Sequence, residues 1–428
     1  MKPILTSLAQ KIFLSTLEGI QAGSLELVTP GQTQVFGNPT SELCATLVVE
    51  RDRFFTRALL GGETAIGEAY MDGEWSTPDL VSLMRLAVRN SSRLEAGNTV
   101  FSTISLLADR IRQRLRKNTM RGSRRNIHAH YDLSNDLFRL FLDRNMLYSC
   151  AWYETAKDSL ETAQIQKIDR ICRKLDLQPH DHVLEIGTGW GAFALHAARC
   201  YGCRVTTTTI SQQQYVYARE RFDAEDRDHR IELLLQDYRQ LQGKFDKIVS
   251  IEMFEAVGFE HYDDFFRACD RLLKPDGSML LQTITMNEQR FHQYVKQSDW
   301  IQKYIFPGGQ LASVRGILDS MARSTDLSLI HAEEMGTHYA RTLAEWRKRF
   351  SDSLDQVKEL GFDDRFIRMW DYYLGFCEAA FLERHIGDMQ LLLTKNHNPN
   401  PLFQEPWRLV QESASPQSVP QNMERVFL

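Results

Sequence analysis

The chain has 428 residues, with 51 Lys and Arg against 56 Asp and Glu, a formal net charge of −5, 43% hydrophobic residues and 25% charged ones. That length fits about three domains, and the composition excludes a disordered chain. No run approaches the roughly 18 unbroken apolar residues of a membrane-spanning helix. An odd set of seven cysteines without paired C-x-x-C motifs argues against a disulfide framework or zinc ribbon and for a reducing, cytoplasmic setting.

Along residues 1–20, Ser7, Gln10, Lys11 and Glu18 interrupt the apolar positions and leave no secretory segment. Ile4, Leu8, Ile12 and Leu17 instead space out an amphipathic helix. From Ser24 to Phe55, short apolar and β-branched runs such as Leu25 to Val28 and Ala45 to Val49, separated by Pro30-Gly31 and Asn38-Pro39, predict a small β-containing module. It continues through Gly61-Gly62, a helix over 80–88 and a segment from Phe101 to Arg116 that places Ile104, Leu107, Ile111 and Leu115 on one helical face. Together these define an N-terminal α+β domain over residues 1–118.

Charge is then concentrated locally. Between Arg110 and Arg125 lie eight basic residues and no acidic one, and Arg110, Arg114, Lys117 and Arg121 share one face of any helix continued through them. Anionic lipid, nucleic acid and plain solvent are the three partners for such a face. Nucleic acid is disfavoured, because no aromatic-basic interleaving accompanies the run. Anionic headgroups would contribute on the order of 1 kcal/mol per basic residue near the surface.

Residues 160–285 alternate between helix and strand. Helices are predicted over 160–175, 192–199, 212–222 and 263–273, and strands over 182–186, 204–209, 231–235, 247–251 and 278–284, the rhythm of a parallel α/β sheet. Residues 286–325, with Trp300 and Phe306-Pro-Gly-Gly309, read as a helical insertion after a strand's carboxyl end, where insertions commonly cover active sites. A strand over 327–332, a helical region over 342–386 and a last strand from Met389 to Thr394 complete a domain over 119–395. The Pro-, Asn-, Ser- and Gln-rich stretch 396–428 is expected to be a mobile tail.

Glu185-Ile-Gly187-Thr-Gly189-Trp-Gly191 sits at a predicted strand-to-helix turn, where glycine lets the backbone approach a ligand that a Cβ would exclude. The G-x-G-x-G spacing, followed by a strand ending in Thr206 to Thr209, disfavours a nicotinamide dinucleotide, and no Gly-Lys-Ser/Thr follows for a P-loop. Tight packing without a ligand is the other reading of these glycines.

Over residues 126–395 the chain resembles the cyclopropane fatty acid synthase family, including the mycolic acid cyclopropane synthases. The resemblance is carried by His130-Tyr-Asp-Leu-Ser134, Tyr148-Ser-Cys-Ala-Trp152, Val183 to Gly191, Thr209-Ile-Ser211, Ser250 to Gly258 with its specific Met253-Phe-Glu-Ala-Val-Gly258, and Phe306-Pro-Gly-Gly309. The N-terminal module and basic linker resemble the longer, phospholipid-modifying members. This implies a class I Rossmann-like methyltransferase with a mostly parallel seven-stranded sheet and a helical lid. The implied reaction delivers a methylene carbon from S-adenosylmethionine to the cis double bond of an unsaturated phospholipid acyl chain, by a homodimer peripherally associated with the cytoplasmic membrane. Tyr148, Ser149, Gly187 and Gly189 would lie at the methionine part of the cofactor, and Thr209, Ile210, Gln214, Gln236 and Asp237 at its ribose and adenine. Taken singly, Gln214 would be an exposed first-turn residue and Asp237 a solvated turn residue.

An alkene that captures a sulfonium methyl becomes a carbocation, so water has to be kept away and a base must take a proton for ring closure. The resemblance assigns this to a bound bicarbonate, held by the side chains of Glu255, Gln282 and Tyr339 and by the N–H groups of Cys150 and Ile284. Glu255 follows the strand over 247–251, at the carboxyl edge where open α/β sheets bind ligands. Taken singly, Cys150 reads as a small buried hydrophobe and Tyr339 as a core aromatic. Gln282, in Leu281-Gln-Thr-Ile284, stands where well-known family members have histidine. It can donate and accept hydrogen bonds but cannot titrate near neutral pH, so anion binding is expected and identical chemistry is not. Loss of a proton from another carbon would give a methyl-branched or methylene chain; a soluble-acceptor methyltransferase and a catalytically silent lipid-binding protein are the remaining alternatives. No histidine spacing of the H-E-x-x-H kind points to a metal, and none is assigned.

Overall fold

Two sheets organise the chain. The computed structural model describes residues 2–91, 134–296, 299–396 and 398. The predicted helix over 101–116, the basic run from Arg110 to Arg125, the boundary at 118, His130 to Leu133 and nearly all of the tail lie outside the described residues.

The N-terminal part runs α1 (Lys2–Leu17), β1 (Ser24–Thr29), β2 (Gln32–Gly37), β3 (Cys44–Val49), α2 (Arg53–Met71), β4 (Trp75–Ser76) and α3 (Leu80–Arg89). Its strands are ordered β2-β1-β3-β4, with β1 antiparallel to β2 and parallel to β3. The two apolar runs read from sequence fall within β1 and β3. Strand β2 escaped that reading because Gln32-Thr-Gln34 carries no apolar run and the strand is largely exposed. Helix α2 passes through Gly61-Gly62 with a kink at Gly62 (φ 56°, ψ −148°). Two glycines cost a helix roughly 1 kcal/mol each; burial of Phe54, Phe55, Ala58, Ala65 and Ala69 holds it together.

The larger part begins with α4 (Asn135–Phe141) and α5 (Leu160–Lys174), followed by β5 (His182–Ile186), α6 (Ala192–Tyr201), β6 (Arg204–Thr209), α7 (Gln212–Glu225), β7 (Ile231–Leu235), β8 (Phe245–Ile251), α8 (Tyr262–Leu272) and β9 (Leu273–Met286). Three helices come next, α9 (Glu288–Tyr294), α10 (Trp300–Tyr304) and α11 (Val314–Ser324), then β10 (Leu327–Glu334), α12 (Gly336–Asp352), α13 (Leu354–Glu359), α14 (Asp364–Leu382) and β11 (Ile386–Lys395). The sheet order is β10-β11-β9-β8-β5-β6-β7. Only β11 runs against its neighbours, giving the expected mostly parallel seven-stranded Rossmann-like sheet. Alternation along the strands fills both faces: Val183, Leu280 and Leu392 join the core beneath α5, α6 and α7, while Leu184, Leu281 and Leu391 join the core beneath α8 and α11. The helical region predicted over 342–386 is three helices and starts earlier, at Gly336. The last strand starts at Ile386 rather than Met389, which brings Asp388 into the sheet.

The chain leaves β5 towards β6 on one side while β8 lies on the other, which opens a crevice at the carboxyl ends of these strands. The N-terminal part closes over it. One apolar core includes Phe54, Phe55 and Trp75 together with Phe138, Trp346 and Trp370. Polar contacts fix the junction: Tyr70 donates to Asp371 at 2.6 Å, Arg347 reaches the same carboxylate at 2.7 Å, and Arg85 and Arg89 both hold Glu383, at 2.7 and 2.6 Å. Among the described residues no helix is long and apolar enough to cross a membrane.

Asp371→Ala leaves the Tyr70 hydroxyl and the Arg347 guanidinium without their shared partner. Hydrogen bonds to charged groups contribute about 1.5–3 kcal/mol, so the variant should lose about 2 kcal/mol in denaturant unfolding. No loss would mean that the junction rests on the apolar core alone.

Candidate active site

Where β5 ends the chain must turn back at once to start α6, and residues 187–191 make that turn. Gly187, Gly189 and Gly191 have φ of 105°, 52° and 88°, a region that costs residues bearing a Cβ roughly 1–2 kcal/mol. A Cβ on Gly187 would also come within 3.1 Å of Met253. Behind the turn the N–H groups of Gly187 and Thr188 donate to the Thr208 carbonyl at 3.0 and 3.1 Å. Glu185, buried at the end of β5, accepts a 2.5 Å bond from the Thr207 hydroxyl, and burial pushes its carboxyl up to about 8.

A cavity of about 1370 Å³ opens at this turn, larger than the roughly 300–1,000 Å³ of an ordinary small-molecule site. All nine residues expected around a cofactor line it: Tyr148, Ser149, Gly187, Gly189, Thr209, Ile210, Gln214, Gln236 and Asp237. Gln214 and Asp237 are not the solvated residues each would be alone, being only 8% and 2% exposed. Gln214 Oε1 accepts from the Thr209 hydroxyl at 2.9 Å, and the Gln236 amide donates to the Gln240 carbonyl at 3.1 Å. Asp237 is clamped by Arg239, whose Nε and Nη2 donate to its two oxygens at 2.9 and 2.7 Å. Lys167 Nζ donates to Ser149 Oγ at 2.6 Å, and the Tyr148 and Tyr373 hydroxyls meet at 3.0 Å. At Gly189 nothing lies within 4 Å of where a Cβ would be. Open backbone at one end and oriented side-chain acceptors at the other fit S-adenosylmethionine. The far wall of the cavity is apolar and belongs to the N-terminal part, through Phe13, Leu47, Phe54, Trp75 and Leu83.

Between these ends lies a set of carboxylates that sheet register brings together. Ile251 on β8 is paired with Gln282 on β9, and β11 places Gln390 opposite Gln282 and Asp388 opposite Ile284. Glu252, one residue beyond β8, and Glu255, in the short turn that follows, both line the cavity with Tyr339 and Ile284. Glu252 Oε1 accepts from the Cys150 N–H and from Gln282 Nε2, both at 2.8 Å, and Oε2 accepts from the Tyr339 hydroxyl at 2.6 Å. Glu255 Oε1 accepts from the Ile284 N–H at 2.6 Å and the Thr283 hydroxyl at 3.0 Å, while its Oε2 is buried with no hydrogen-bond partner. The Gln282 amide also donates to Asp388 at 3.0 Å.

Burial sets the electrostatics. It raises the Glu252 carboxyl, against the pull of the Tyr339, Cys150 and Gln282 hydrogen bonds, and it raises Asp388 well above the carboxylate range with the Glu252 charge adding to the effect. Glu255 is pushed up to about 8, first by burial and then by Glu252. The one ammonium in the group, Lys167, is fully buried and lowered by desolvation. Burial also pushes the Cys150 thiol well up, in keeping with a packing role for the side chain.

These contacts bear on the expected bicarbonate site. All four donors assigned to that ion are committed to carboxylates of the chain: Cys150 N–H, Gln282 and Tyr339 to Glu252, and Ile284 N–H to Glu255. An anion seated on Cys150, Gln282 and Tyr339 would have to displace the Glu252 carboxylate, so these three donors as arranged do not fit it. Gln282 does hold an anion, but an internal one. Sequence reasoning missed Glu252, Asp388, Lys167 and Glu185. Two signals were present: Lys167 falls on the apolar face of α5 with Ala163 and Ile171, and Glu252 directly follows a strand of buried apolar residues.

Comparison with known proteins agrees with this architecture. Residues 118–391 match the family model for mycolic acid cyclopropane synthetase. The chain is 38% identical over 345 residues to the tuberculostearic acid methyltransferase UfaA1 of Mycobacterium tuberculosis, covering 79% of this chain and 80% of that one. It is 37% identical over 353 residues to the cyclopropane-fatty-acyl-phospholipid synthase of Escherichia coli, covering 82% and 88%. The solved structure of the mycolic acid cyclopropane synthase CmaA1 with SAH and CTAB superposes with a TM-score of 0.60 at 34% identity, over 64% of this chain and 98% of that one.

A carboxyl raised in the folded state costs stability as pH rises, from nothing below its ordinary value to a constant above its folded value. For Glu255 that window runs from 4.5 to about 8. Glutamine keeps an acceptor for Ile284 and Thr283 but cannot ionise. The stability of Glu255→Gln relative to the parent should therefore shift in the variant's favour across that window. A difference flat with pH would show that Glu255 titrates as it would in water.

Proposed function

The chain belongs to the mycolic acid cyclopropane synthetase family, and from that premise we propose that it delivers a methylene carbon from S-adenosylmethionine to the cis double bond of an unsaturated phospholipid acyl chain. Its enzyme class is S-adenosylmethionine-dependent methyltransferase. The observation that carries the reading is the single cavity that joins the glycine turn to the apolar wall of the N-terminal part, with a ring of aromatic and carboxylate groups between. Its volume exceeds what one small molecule needs and suits a cofactor met end-on by a hydrocarbon chain.

S-adenosylmethionine supplies a methyl group already activated by positive sulfur, so an alkene is nucleophile enough. The chain's own work is to place and protect. Gly187 and Gly189 let the backbone come close, Gln214 and Asp237 orient polar groups, and the N-terminal part shuts out water. Tyr148, Phe306, Tyr339, Tyr373 and Phe381 line the middle of the cavity. Tyr339 stacks on Phe381 at 4.5 Å, and aromatic faces of this kind favour nearby positive charge by about 0.5–2 kcal/mol. A phospholipid in a bilayer suits the apolar wall, and the eight basic residues between Arg110 and Arg125 supply attraction to an anionic surface on charge alone. One relative is named a methyltransferase and another a cyclopropane synthase; both outcomes run through the same cation, and they differ in the carbon that loses the proton.

Vesicles of monounsaturated phospholipid incubated with the protein and S-adenosylmethionine should gain one CH₂ per modified chain, and proton NMR should show ring protons. No gain while the cofactor demonstrably binds would reject the reading; vinylic methylene or branched-methyl signals would replace the ring product. Asp237→Ala should raise the KM for S-adenosylmethionine by about tenfold or more, with a smaller effect on kcat. An equal effect on both would place Asp237 away from the cofactor.

A further inference from the structure

Three donors that could cradle an added anion already hold one that the chain supplies. We propose that the Glu252 carboxylate is the resident base of the reaction, occupying the place given by resemblance to bicarbonate, so that turnover needs no dissolved inorganic carbon. The proposal rests on the methylene-transfer reading of the cavity and deepens it.

Position supports it first. Glu252 lines the cavity beside Tyr339, and the next residue, Met253, packs at the glycine turn, within 3.1 Å of where a Cβ on Gly187 would be. This puts Glu252 in the same cavity as the glycine turn and one residue from the contact with it.

Backbone conformation is a second, independent sign. Glu252 has φ 48°, in the left-handed region that glycine adopts freely and other residues adopt at a cost of about 1–3 kcal/mol. The Glu252 N–H donates to the Gln282 carbonyl at 2.8 Å and holds the residue there. A strained glutamate is thus kept where a glycine would be relaxed, and what the chain gains is a carboxylate in the cavity.

Gln282 is the third sign. One amide nitrogen donates to both Glu252 and Asp388, while its oxygen accepts from Gln390 at 3.0 Å, itself held by Lys174 Nζ at 2.6 Å. An imidazole nitrogen carries a single hydrogen and could not serve two carboxylates from one atom. Glutamine at 282 therefore matches a carboxylate at 252. The buried Lys167 ammonium favours the anion there, and bicarbonate beside Glu252 would add a like charge.

In the step itself the alkene π pair forms a bond to the transferred carbon as that carbon's bond to sulfur breaks, its pair staying on sulfur. Positive charge then sits on the neighbouring chain carbon. One C–H bond of the transferred carbon breaks, its pair closes the three-membered ring, and the proton passes to Glu252, which releases it to water when the product leaves.

The test measures initial rates on monounsaturated phospholipid vesicles with S-adenosylmethionine, in buffer stripped of carbon dioxide, with and without added bicarbonate. The parent should run at the same rate in both. Glu252→Gln, close in size and still able to accept hydrogen bonds, should lose about 100-fold or more in kcat with an unchanged KM for S-adenosylmethionine, and bicarbonate should not restore it. Glu252→Gly relaxes the backbone and vacates the donors, so it should be inactive in stripped buffer and regain part of its rate with bicarbonate. A parent that slows when inorganic carbon is removed, or either variant at the parental rate in stripped buffer, would overturn the proposal. A parent that adds no carbon in either buffer would sink the underlying reading, and the base assignment with it.

Discussion

A carboxylate withdrawn from water holds its charge only where hydrogen-bond donors take over its solvation. At the centre of this protein those donors come from parts of the chain that only the finished fold brings together. Cys150, Gln282 and Tyr339 lie 102, 30 and 87 residues from Glu252, on the loop after α4, on the interior strand β9 and on α12. Each approaches correctly only if the sheet has its order and register and α12 has docked. The same register sets Gln390 against Gln282 and brings Asp388 into the group, so a shift of one residue in β11 would turn both away from the site. Gathering the partly buried Glu252 and Glu255 with the buried Asp388 is costly, and desolvation accordingly lifts all three carboxyls. A fold kept only for stability would gain by replacing such a group with apolar side chains; its retention in a cavity wall points to chemistry.

The parallel sheet and the cofactor end of the cavity were legible because their signals are local. Apolar runs alternate with helical periods between residues 160 and 285, and three glycines in five residues mark one turn. The base end was not legible, because its signals are relations. Glu252 follows a buried strand and looks like any acidic residue at a strand's end until Cys150, Gln282 and Tyr339 are seen around it. Asp388 escapes a sequence reading that begins the last strand at Met389, because Ile386-Gly-Asp388 interrupts the apolar run that makes the strand visible. The resemblance points to Cys150, Gln282 and Tyr339 as donors to a bound ion, whereas in the structure all three donate to Glu252. Strand β2 and the early turns of α2 were missed for the opposite reason. Their sequences are poor in local signal, and tertiary packing decides their structure.

The N-terminal part and the methyltransferase part are less separate than two sheets suggest. Phe54, Phe55 and Trp75 pack into one core with Phe138, Trp346 and Trp370, and the Asp371 and Glu383 carboxylates tie the two parts across the junction. That shared core is why a single cavity can run from the glycine turn to Phe13 and Leu83. In the proposed reaction, keeping water from a cation is the task of that docking rather than of any one residue.

The most direct measurement is a crystal structure of the full chain grown with S-adenosylhomocysteine in bicarbonate buffer. The account predicts that Glu252 keeps its bonds to the Cys150 N–H, Gln282 and Tyr339, with no carbonate-shaped density among them. An ion seated on those three donors, with Glu252 turned away, would contradict it.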